Sequence, residues 1–269
     1  MVRKILNEAA KKLTNSPTPL LDARVLLSKA INSQNALLVF RDLTDDEINT
    51  FNSFIEKRKQ GIPVSYITGE KEFMGLTFIL NNSTLIPRPD TECLVEKVIE
   101  YNSFPAPKIL DLCTGSGCIG ISLAYMIKNS SAELTDISQE ALDCANENIK
   151  LHNLNYRVKA YKLDVVCDDI KNKYDIITAN PPYIPTKIVK ELEVSRFEPV
   201  RALDGGADGL DFYRIIIDKA YDALNENGIL ALEIGYDQGE SVPKLMSKFK
   251  SVCVFKDYGE NDRVVIGIK

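Results

Sequence analysis

The spacing of apolar residues changes along this chain, and the first part has the spacing of helices. Within residues 2–13, and again within residues 21–31, apolar side chains recur at intervals of three or four, which is typical of one buried helical face. A third helix is predicted over residues 44–59, where Thr44 and Glu47 form a capping box. Gly61 and Pro63 end it. We therefore predict a small helical domain over residues 1–70.

The next segment has the composition of strands. Leu76-Thr77-Phe78-Ile79-Leu80 is rich in β-branched and aromatic residues, and Asn81-Asn82-Ser83 follows it as a turn signal. We predict that residues 71–86 form a hairpin that turns at residues 81–83. This hairpin would link the helical domain to the rest of the chain.

From residue 108 onward, strand-like runs alternate with helical ones. Five strands are predicted, at residues 108–112, 132–136, 158–163, 174–179 and 228–234. Such alternation indicates a parallel sheet covered by helices on both faces. Two further strands, at residues 252–256 and 263–268, form an antiparallel hairpin at one sheet edge. The predicted fold of residues 87–269 is therefore α/β, with a mostly parallel seven-stranded sheet.

Composition and charge mainly exclude certain classes of protein. Of the 269 residues, 45% are hydrophobic and 26% are charged, as in ordinary soluble globular proteins. No apolar run approaches the ~20 residues of a membrane helix, and the N-terminus lacks the features of a signal peptide. We therefore expect a cytoplasmic protein without a membrane partner. The net charge of −5 is unlike that of a protein that binds DNA phosphates, so no direct nucleic-acid partner is expected.

Cysteine and histidine usage excludes two kinds of chemistry. The six cysteines include no Cys-x-x-Cys pair, so we expect no metal site. The only histidine, His152, stands in Leu-His-Asn-Leu, with no nucleophile near it in the sequence. Serine-hydrolase and poly-histidine metal chemistries therefore lose their support.

A glycine-rich turn follows the first predicted strand of the sheet. In Asp111-Leu112-Cys113-Thr114-Gly115-Ser116-Gly117, and then Gly120, the glycines let the backbone turn tightly and let a ligand approach it closely. Asp136 ends the next strand, where a carboxylate can accept hydrogen bonds from ribose hydroxyls. This spacing also fits a dinucleotide-binding turn. Asp111, however, would repel a pyrophosphate, whereas it can orient the positively charged amino end of S-adenosylmethionine.

A second motif, Asn180-Pro181-Pro182-Tyr183, follows the strand at residues 174–179. The prolines fix φ and remove two amide donors. The side-chain oxygen of Asn180 and the carbonyl of Pro181 can then each accept one N–H of a substrate NH2 group, while the Tyr183 ring packs on the substrate plane. Such acceptors shift electron density towards a delocalised nitrogen and aim its lone pair, so catalysis is mostly positioning. The alternative interpretation is a proline-terminated strand whose asparagine caps a turn.

With these motifs, the chain resembles class I S-adenosylmethionine-dependent methyltransferases of the Asn-Pro-Pro-Tyr type. It is most similar to the protein-(glutamine-N5) methyltransferases that modify peptide chain release factors. The stretch Pro87-Arg88-Pro89-Asp90-Thr91-Glu92 is the most specific part of this resemblance, and it separates the chain from DNA adenine methyltransferases. Other matching stretches are Gly61–Gly69, Arg196-Phe197-Glu198-Pro199 and Leu232-Glu233-Ile234-Gly235.

The resemblance implies a set of site residues. The cofactor, S-adenosylmethionine, would contact Asp111, Cys113, Thr114, Gly115, Ser116, Gly117, Asp136, Asp164, Val165 and Asn180. The substrate glutamine would contact Asn180, Pro181, Pro182 and Tyr183, and the catalytic residues would be Asn180, Pro181 and Tyr183. For Arg88 two expectations stay open, a contact with the substrate or the cofactor and a structural ion pair. The family usually has glycine at the position of Cys113 and often an aromatic at that of Val165. Its helical N-terminal domain, which matches residues 1–70, would engage the release factor.

Three other functions compete with this hypothesis. A DNA or RNA adenine-N6 methyltransferase would flip a base into the same pocket, but it predicts a basic groove and a separate recognition domain. A nicotinamide oxidoreductase leaves Asn180 and its prolines unexplained. A non-catalytic cofactor-binding scaffold is disfavoured because that motif is intact.

Overall fold

The computed structural model describes residues 2–33 and 42–269 and divides the chain into two compact units, Met1–Glu70 and Lys71–Lys269. The first unit is helical, with α1 (Val2–Lys12), α2 (Pro19–Ala30), α3 (Asp45–Lys59) and α4 (Val64–Thr68). Its core contains Leu6, Leu26, Leu27, Phe51 and Ile55, all nearly inaccessible to solvent.

The capping box predicted at the start of α3 is present. Thr44 Oγ1 accepts a hydrogen bond from the main-chain N–H of Glu47 at 3.2 Å, and Glu47 Oε2 accepts one from that of Thr44 at 2.8 Å. Near the end of the same helix, Arg58 Nε donates to Asp22 Oδ2 of α2 at 2.7 Å. This pair joins two helices at a largely buried position.

The second unit contains a hairpin made of β1 (Glu70–Phe73) and β2 (Leu76–Ile79), and its turn is not where the sequence predicted it. Residues 81–83 do form a turn, in which Thr84 N donates to Asn81 O at 3.3 Å, but it is not the turn of the hairpin. The chain reverses at Met74 and Gly75, whose φ angles of 52° and 72° are those of a tight hairpin turn. Methionine rarely adopts a positive φ, so this turn carries no clear sequence signal. Residues 81–83 instead belong to the connection to the next helix, where Asn81 Oδ1 accepts from Ser83 N.

The main sheet has seven strands in the order β5-β4-β3-β6-β7-β9-β8. The strands are β3 (Lys108–Leu112), β4 (Ser131–Asp136), β5 (Val158–Lys162), β6 (Tyr174–Ala179), β7 (Leu224–Glu233), β8 (Ser251–Lys256) and β9 (Asp262–Ile268). Strands β3 to β7 pair in parallel, whereas β9 pairs antiparallel with both β7 and β8. This confirms the predicted α/β fold with its C-terminal antiparallel hairpin.

Helices cover both faces of the sheet. One face packs against α5 (Pro89–Tyr101), α6 (Cys118–Met126) and α7 (Gln139–Leu151), and the other against α9 (Asp211–Ala223) and α10 (Ser241–Leu245). The short α8 (Thr186–Val189) lies in the long connection between β6 and α9. Chain order reverses between β3 and β6, and ligands of such sheets bind where the strand ends diverge.

None of the helices in residues 2–33 and 42–269 has both the length and the apolarity required to cross a bilayer.

Candidate functional site

A cavity of about 460 Å³ opens at the carboxyl ends of β3, β4 and β6. The predicted site residues that line it are Arg88, Cys113, Thr114, Gly115, Ser116, Asp136, Asp164, Val165, Asn180 and Pro182. Four predicted residues lie outside this lining, namely Asp111, Gly117, Pro181 and Tyr183. The lining also includes residues that the sequence analysis did not single out for this role, among them Thr91, Ile137, Leu163, Val166, Arg201 and Phe212.

The glycine-rich turn forms one wall. Cys113, Gly115 and Gly117 have φ angles of 55°, 54° and 83°, so the chain turns through the left-handed region three times before α6 begins. Gly117 requires glycine because L side chains rarely adopt its φ of 83°, and a Cβ there would also stand 2.8 Å from Ile121 Cδ1. The turn closes on itself when Gly117 N donates to Thr114 O at 2.9 Å. Its backbone therefore forms a preorganised surface for a ligand.

Asp111 lies beneath this turn and is completely buried. Its carboxylate accepts hydrogen bonds from the hydroxyls of Thr114 and Thr178 and from the main-chain N–H of Gly120. Burial raises its pKa to about 6, although these hydrogen bonds oppose the rise. Because its oxygens are occupied in this way, Asp111 holds the turn in place. Direct contact with a cofactor amino group stays a prediction.

Asp136 reaches the cavity from the end of β4. Its Oδ2 accepts from Gly115 N and its Oδ1 from Ser138 N, both at 2.9 Å. A carboxylate has about four acceptor sites, so each oxygen keeps a free lone pair towards the cavity. This is the arrangement that ribose hydroxyls require.

The glycine turn and Asp136 form two walls of the cavity. The third wall is apolar, and it contains Val165 together with Ile137, Leu163 and Val166. Asp164 Oδ1 accepts from Val166 N at 2.8 Å, and this hydrogen bond lowers the pKa of Asp164. Ile137 is about half exposed although it is a large apolar residue. An apolar side chain directly after Asp136 was the sequence signal for this wall, and it was missed.

These walls fit S-adenosylmethionine. They combine a carboxylate that retains acceptor sites, an apolar surface and the exposed backbone of the glycine turn, which are the groups that a nucleoside with an amino-acid tail requires. Ser116 lines the cavity, and its buried Oγ has no hydrogen-bond partner among the described residues, so a polar ligand atom would satisfy it. Over the same part of the chain, no group of three or more potential metal-binding side chains occurs.

Asn180 lies on the cavity wall directly after β6. Its Nδ2 points towards Thr91 Oγ1 in the first turn of α5, at 3.5 Å. The Oδ1 atom is therefore the end of the carboxamide that is left for a ligand. Pro182 also lines the cavity, whereas Pro181 is buried outside the lining.

Hydrogen bonds of Tyr183 fix the position of the tetrapeptide Asn180-Pro181-Pro182-Tyr183. Its hydroxyl donates to Glu233 Oε1 at 3.3 Å, and its main-chain oxygen accepts from Gln238 Nε2 at 3.1 Å. Burial and the nearby Glu233 raise the pKa of Tyr183 above its usual range. The predicted contact of the Tyr183 ring with a substrate stays a prediction.

A loop on the other side of the tetrapeptide requires glycine. A Cβ on Gly205 would stand 2.7 Å from Tyr183 Cα, so only glycine lets the two backbones approach this closely.

Arg88 also lines the cavity, and its guanidinium forms an ion pair with the buried Glu198. Glu198 Oε2 in turn accepts from Ile86 N at 3.3 Å. Both expectations for Arg88, an ion pair and a ligand contact, are compatible with this position.

Two family models match the chain, the PrmC N-terminal domain at residues 4–69 and the methyltransferase small domain at residues 89–197. The chain is 40% identical to the release factor glutamine methyltransferase of Clostridium botulinum, with 91% of this chain and 90% of that protein covered. It is 38% identical to that of Moorella thermoacetica, with 100% and 98% covered.

Solved structures share the fold at lower identity. A methyltransferase from Pyrococcus furiosus superposes with a TM-score of 0.55 at 19% identity, covering 81% of this chain and 97% of that one. The catalytic domain of hMettl16 superposes with a TM-score of 0.56 at 18% identity, covering 72% of this chain and 75% of that one. From its fold and from the identity to these relatives, the chain belongs to the family of release factor glutamine methyltransferases.

Proposed function

We propose that this protein transfers a methyl group from S-adenosylmethionine to the side-chain amide nitrogen, N5, of a glutamine in a peptide chain release factor. The observation that carries the proposal is the placement of Asn180. It lines the same cavity as the glycine turn, and its amide nitrogen faces Thr91, which leaves Oδ1 for a substrate. The names of the relatives support the choice of substrate.

The cofactor would be held by the three walls of the cavity. Asp136 would accept the ribose hydroxyls, Val165 and Ile137 would contact the adenine, and Ser116 would bind a polar atom of the amino-acid end. When bound, S-adenosylmethionine supplies an electrophilic methyl group on a positively charged sulfur. Asp111 supports this end of the cavity from below by fixing the turn.

The residues of the chain activate the nucleophile. A carboxamide nitrogen is a weak nucleophile because its lone pair is delocalised into the carbonyl group. Asn180 Oδ1 and the Pro181 carbonyl would each accept one N–H of the glutamine side chain, which localises the lone pair and orients it. Tyr183 and Arg88 would contact the rest of the glutamine side chain. The nitrogen becomes acidic as the new bond forms, so its proton can leave to water without a strong base.

The two compact units have different proposed roles. We assign residues 1–70 to recognition of the release factor, residues 71–86 to a connection and residues 87–269 to catalysis. Such a substrate places the reaction in the cytoplasm, where the modified factor would terminate translation with altered efficiency.

Mass spectrometry of a release factor incubated with this protein and S-adenosylmethionine tests the proposal. One added methyl group on a glutamine side chain is the expected result. A parallel incubation with DNA and RNA oligonucleotides tests the adenine-N6 alternative. An unmodified release factor together with methylated adenine in an oligonucleotide would overturn the proposal.

A further inference from the structure

Glu233 ends β7 directly beside the site of Asn180. Strands β6 and β7 are parallel neighbours, and Ala179 pairs with Leu232. The next residue of each strand, Asn180 and Glu233, therefore continues the same register. Side chains alternate between the two faces of a sheet. Ala179 and Leu232 face the side of α9, so Asn180 and Glu233 both project towards α5.

The carboxyl group of Glu233 is almost completely buried, with 2% of the residue exposed. Its Oε1 accepts from the Tyr183 hydroxyl, while its Oε2 has no completed hydrogen bond among the described residues. Burial raises the pKa of Glu233, but Thr91, Arg263, Tyr183 and Asn180 all act in the opposite direction and favour the charged form. A buried polar atom without a partner is rare and calls for an explanation.

Thr91 and Asn180 are both neighbours of this carboxyl group, and hydrogen bonding from either side chain lowers the pKa of Glu233. The two side chains also adjoin each other, since Thr91 Oγ1 lies 3.5 Å from Asn180 Nδ2. A carboxylate can only accept hydrogen bonds, whereas a threonine hydroxyl has one proton to donate and two lone pairs that accept. If that proton goes to Glu233, the oxygen of Thr91 can only accept from its other neighbour. The carboxylate thus sets the direction of the whole chain of hydrogen bonds.

We propose that Glu233 is a positioning residue that acts through Thr91 to fix the orientation of the Asn180 carboxamide. Glu233 Oε2, the atom without a completed hydrogen bond, is the acceptor towards which the Thr91 hydroxyl proton turns, so that Thr91 Oγ1 accepts from Asn180 Nδ2 and Asn180 Oδ1 is turned to the cavity. The choice between the two amide orientations of an asparagine is made by such a network. The role of Oδ1 towards a glutamine NH2 group rests on the proposed function; the orientation itself does not.

Replacing the Glu233 carboxylate by a carboxamide removes this control over which groups donate and which accept hydrogen bonds. In Glu233→Gln the new side chain can donate to Thr91, so the Thr91 hydroxyl can donate to Asn180 Oδ1 and draw it away from the cavity. The Nδ2 protons of Asn180 would then face the N–H groups of the substrate, and the nucleophile would lose an acceptor. Binding of the cofactor, which uses other walls of the cavity, is unaffected.

Steady-state kinetics of release factor methylation provide the first test. Glu233→Gln and Thr91→Val are expected to lower kcat about 10- to 100-fold, with little change in the KM for the release factor or in the Kd for S-adenosylhomocysteine measured by calorimetry. Thr91→Ser, which keeps the hydroxyl, recovers most of the lost kcat. The double variant loses no more than the more damaged single variant, because both changes break one network.

Glu133→Gln is the matched control, since Glu133 is also a buried carboxylate on a strand of the sheet but contacts Tyr161 and Tyr174 outside the cavity. It is expected to lower the melting temperature without changing kcat. If Glu233→Gln proves unfolded by circular dichroism, Thr91→Val carries the test. A kcat close to the wild-type value in folded Thr91→Val, or a rise in KM alone, overturns the proposal.

A spectroscopic test does not depend on turnover. The side-chain NH2 signal of Asn180, identified by its loss in Asn180→Asp, is expected to exchange slowly in the wild-type protein and to shift in Thr91→Val. An unshifted, fast-exchanging signal overturns the orientation even where the wild-type enzyme is active. Conversely, a wild-type protein that methylates no release factor but shows the protected signal overturns the proposed function and leaves the positioning role standing.

Discussion

Gln238 is hydrogen-bonded to the main-chain oxygen of Tyr183 at 3.1 Å, across 55 residues of sequence. The same Nε2 donates to Gly209 O at 3.2 Å, and the Oε1 of Gln238 accepts from Gly235 N at 2.8 Å. One buried side chain therefore ties together the loops that follow β6 and β7 and the loop before α9. The tetrapeptide that begins at Asn180 owes its position to these contacts as much as to its two prolines.

Gln238→Leu is expected to destabilise the protein, because it leaves several buried main-chain groups without partners. An unsatisfied buried group costs about 1–3 kcal/mol, so we expect the free energy of unfolding to fall by about 2–3 kcal/mol. Urea denaturation measures this change. Gln139→Leu is the control, since that side chain is exposed and its Nε2 donates to Asp143 at the surface. Equal stability of the two variants would contradict the role of Gln238.

Asn180→Ala is expected to abolish detectable methyl transfer while leaving the fold intact. Removing one preorganised group of this kind lowers kcat by about 10²–10³-fold in other enzymes. The measurement is methyl incorporation into a release factor, with circular dichroism and thermal denaturation as the controls for an intact fold. Full activity in the folded variant would show that the carboxamide takes no part in the chemistry.

The strands of the sheet and the main motifs could be predicted from the sequence, whereas the tertiary contacts that hold the motifs in place could not. Strands β3 and β6 have the predicted ends, because each is an apolar run that stops at a motif with special backbone needs. Gln238 and the packing of Glu233 depend on residues about 50 positions away, and no local pattern encodes such a distance. The turn at Met74 and Gly75 was missed because propensity disfavours methionine there.

Cys113 is a non-glycine residue with a φ of 55°, so its backbone limits which side chains can replace it. Cys113→Ala is expected to keep the stability and cofactor affinity of the wild-type protein. Cys113→Val places a β-branched residue in the left-handed region, which costs about 1–3 kcal/mol, and it should also weaken cofactor binding because Cys113 lines the cavity. Thermal denaturation and calorimetry measure the two effects. Identical behaviour of both variants would contradict this account of the turn.

Acid sensitivity is expected to depend on Glu133. Burial alone would raise its pKa, but hydrogen bonds from Tyr174 and Tyr161 and the charge of Lys108 outweigh burial and lower the pKa to about 2 from the ordinary 4.5. A carboxyl group with a depressed pKa stabilises the fold above its ordinary pKa, and this contribution is lost as pH falls from about 4.5 towards 2. In Glu133→Gln the free energy of unfolding should fall less steeply across this window. Parallel pH profiles of the two proteins would contradict the prediction.

Removing residues 1–69 separates the two proposed tasks, because the remaining chain begins where β1 begins and keeps the whole of the second compact unit. All the residues that line the cavity belong to this unit. The shortened protein is therefore expected to bind S-adenosylhomocysteine with unchanged affinity. Its KM for an intact release factor should rise strongly, whereas a short glutamine-containing peptide, which offers little surface for docking, should be methylated equally well by both forms. Equal turnover on the intact factor would remove the helical unit from substrate recognition, and loss of cofactor binding would show that the cavity depends on it.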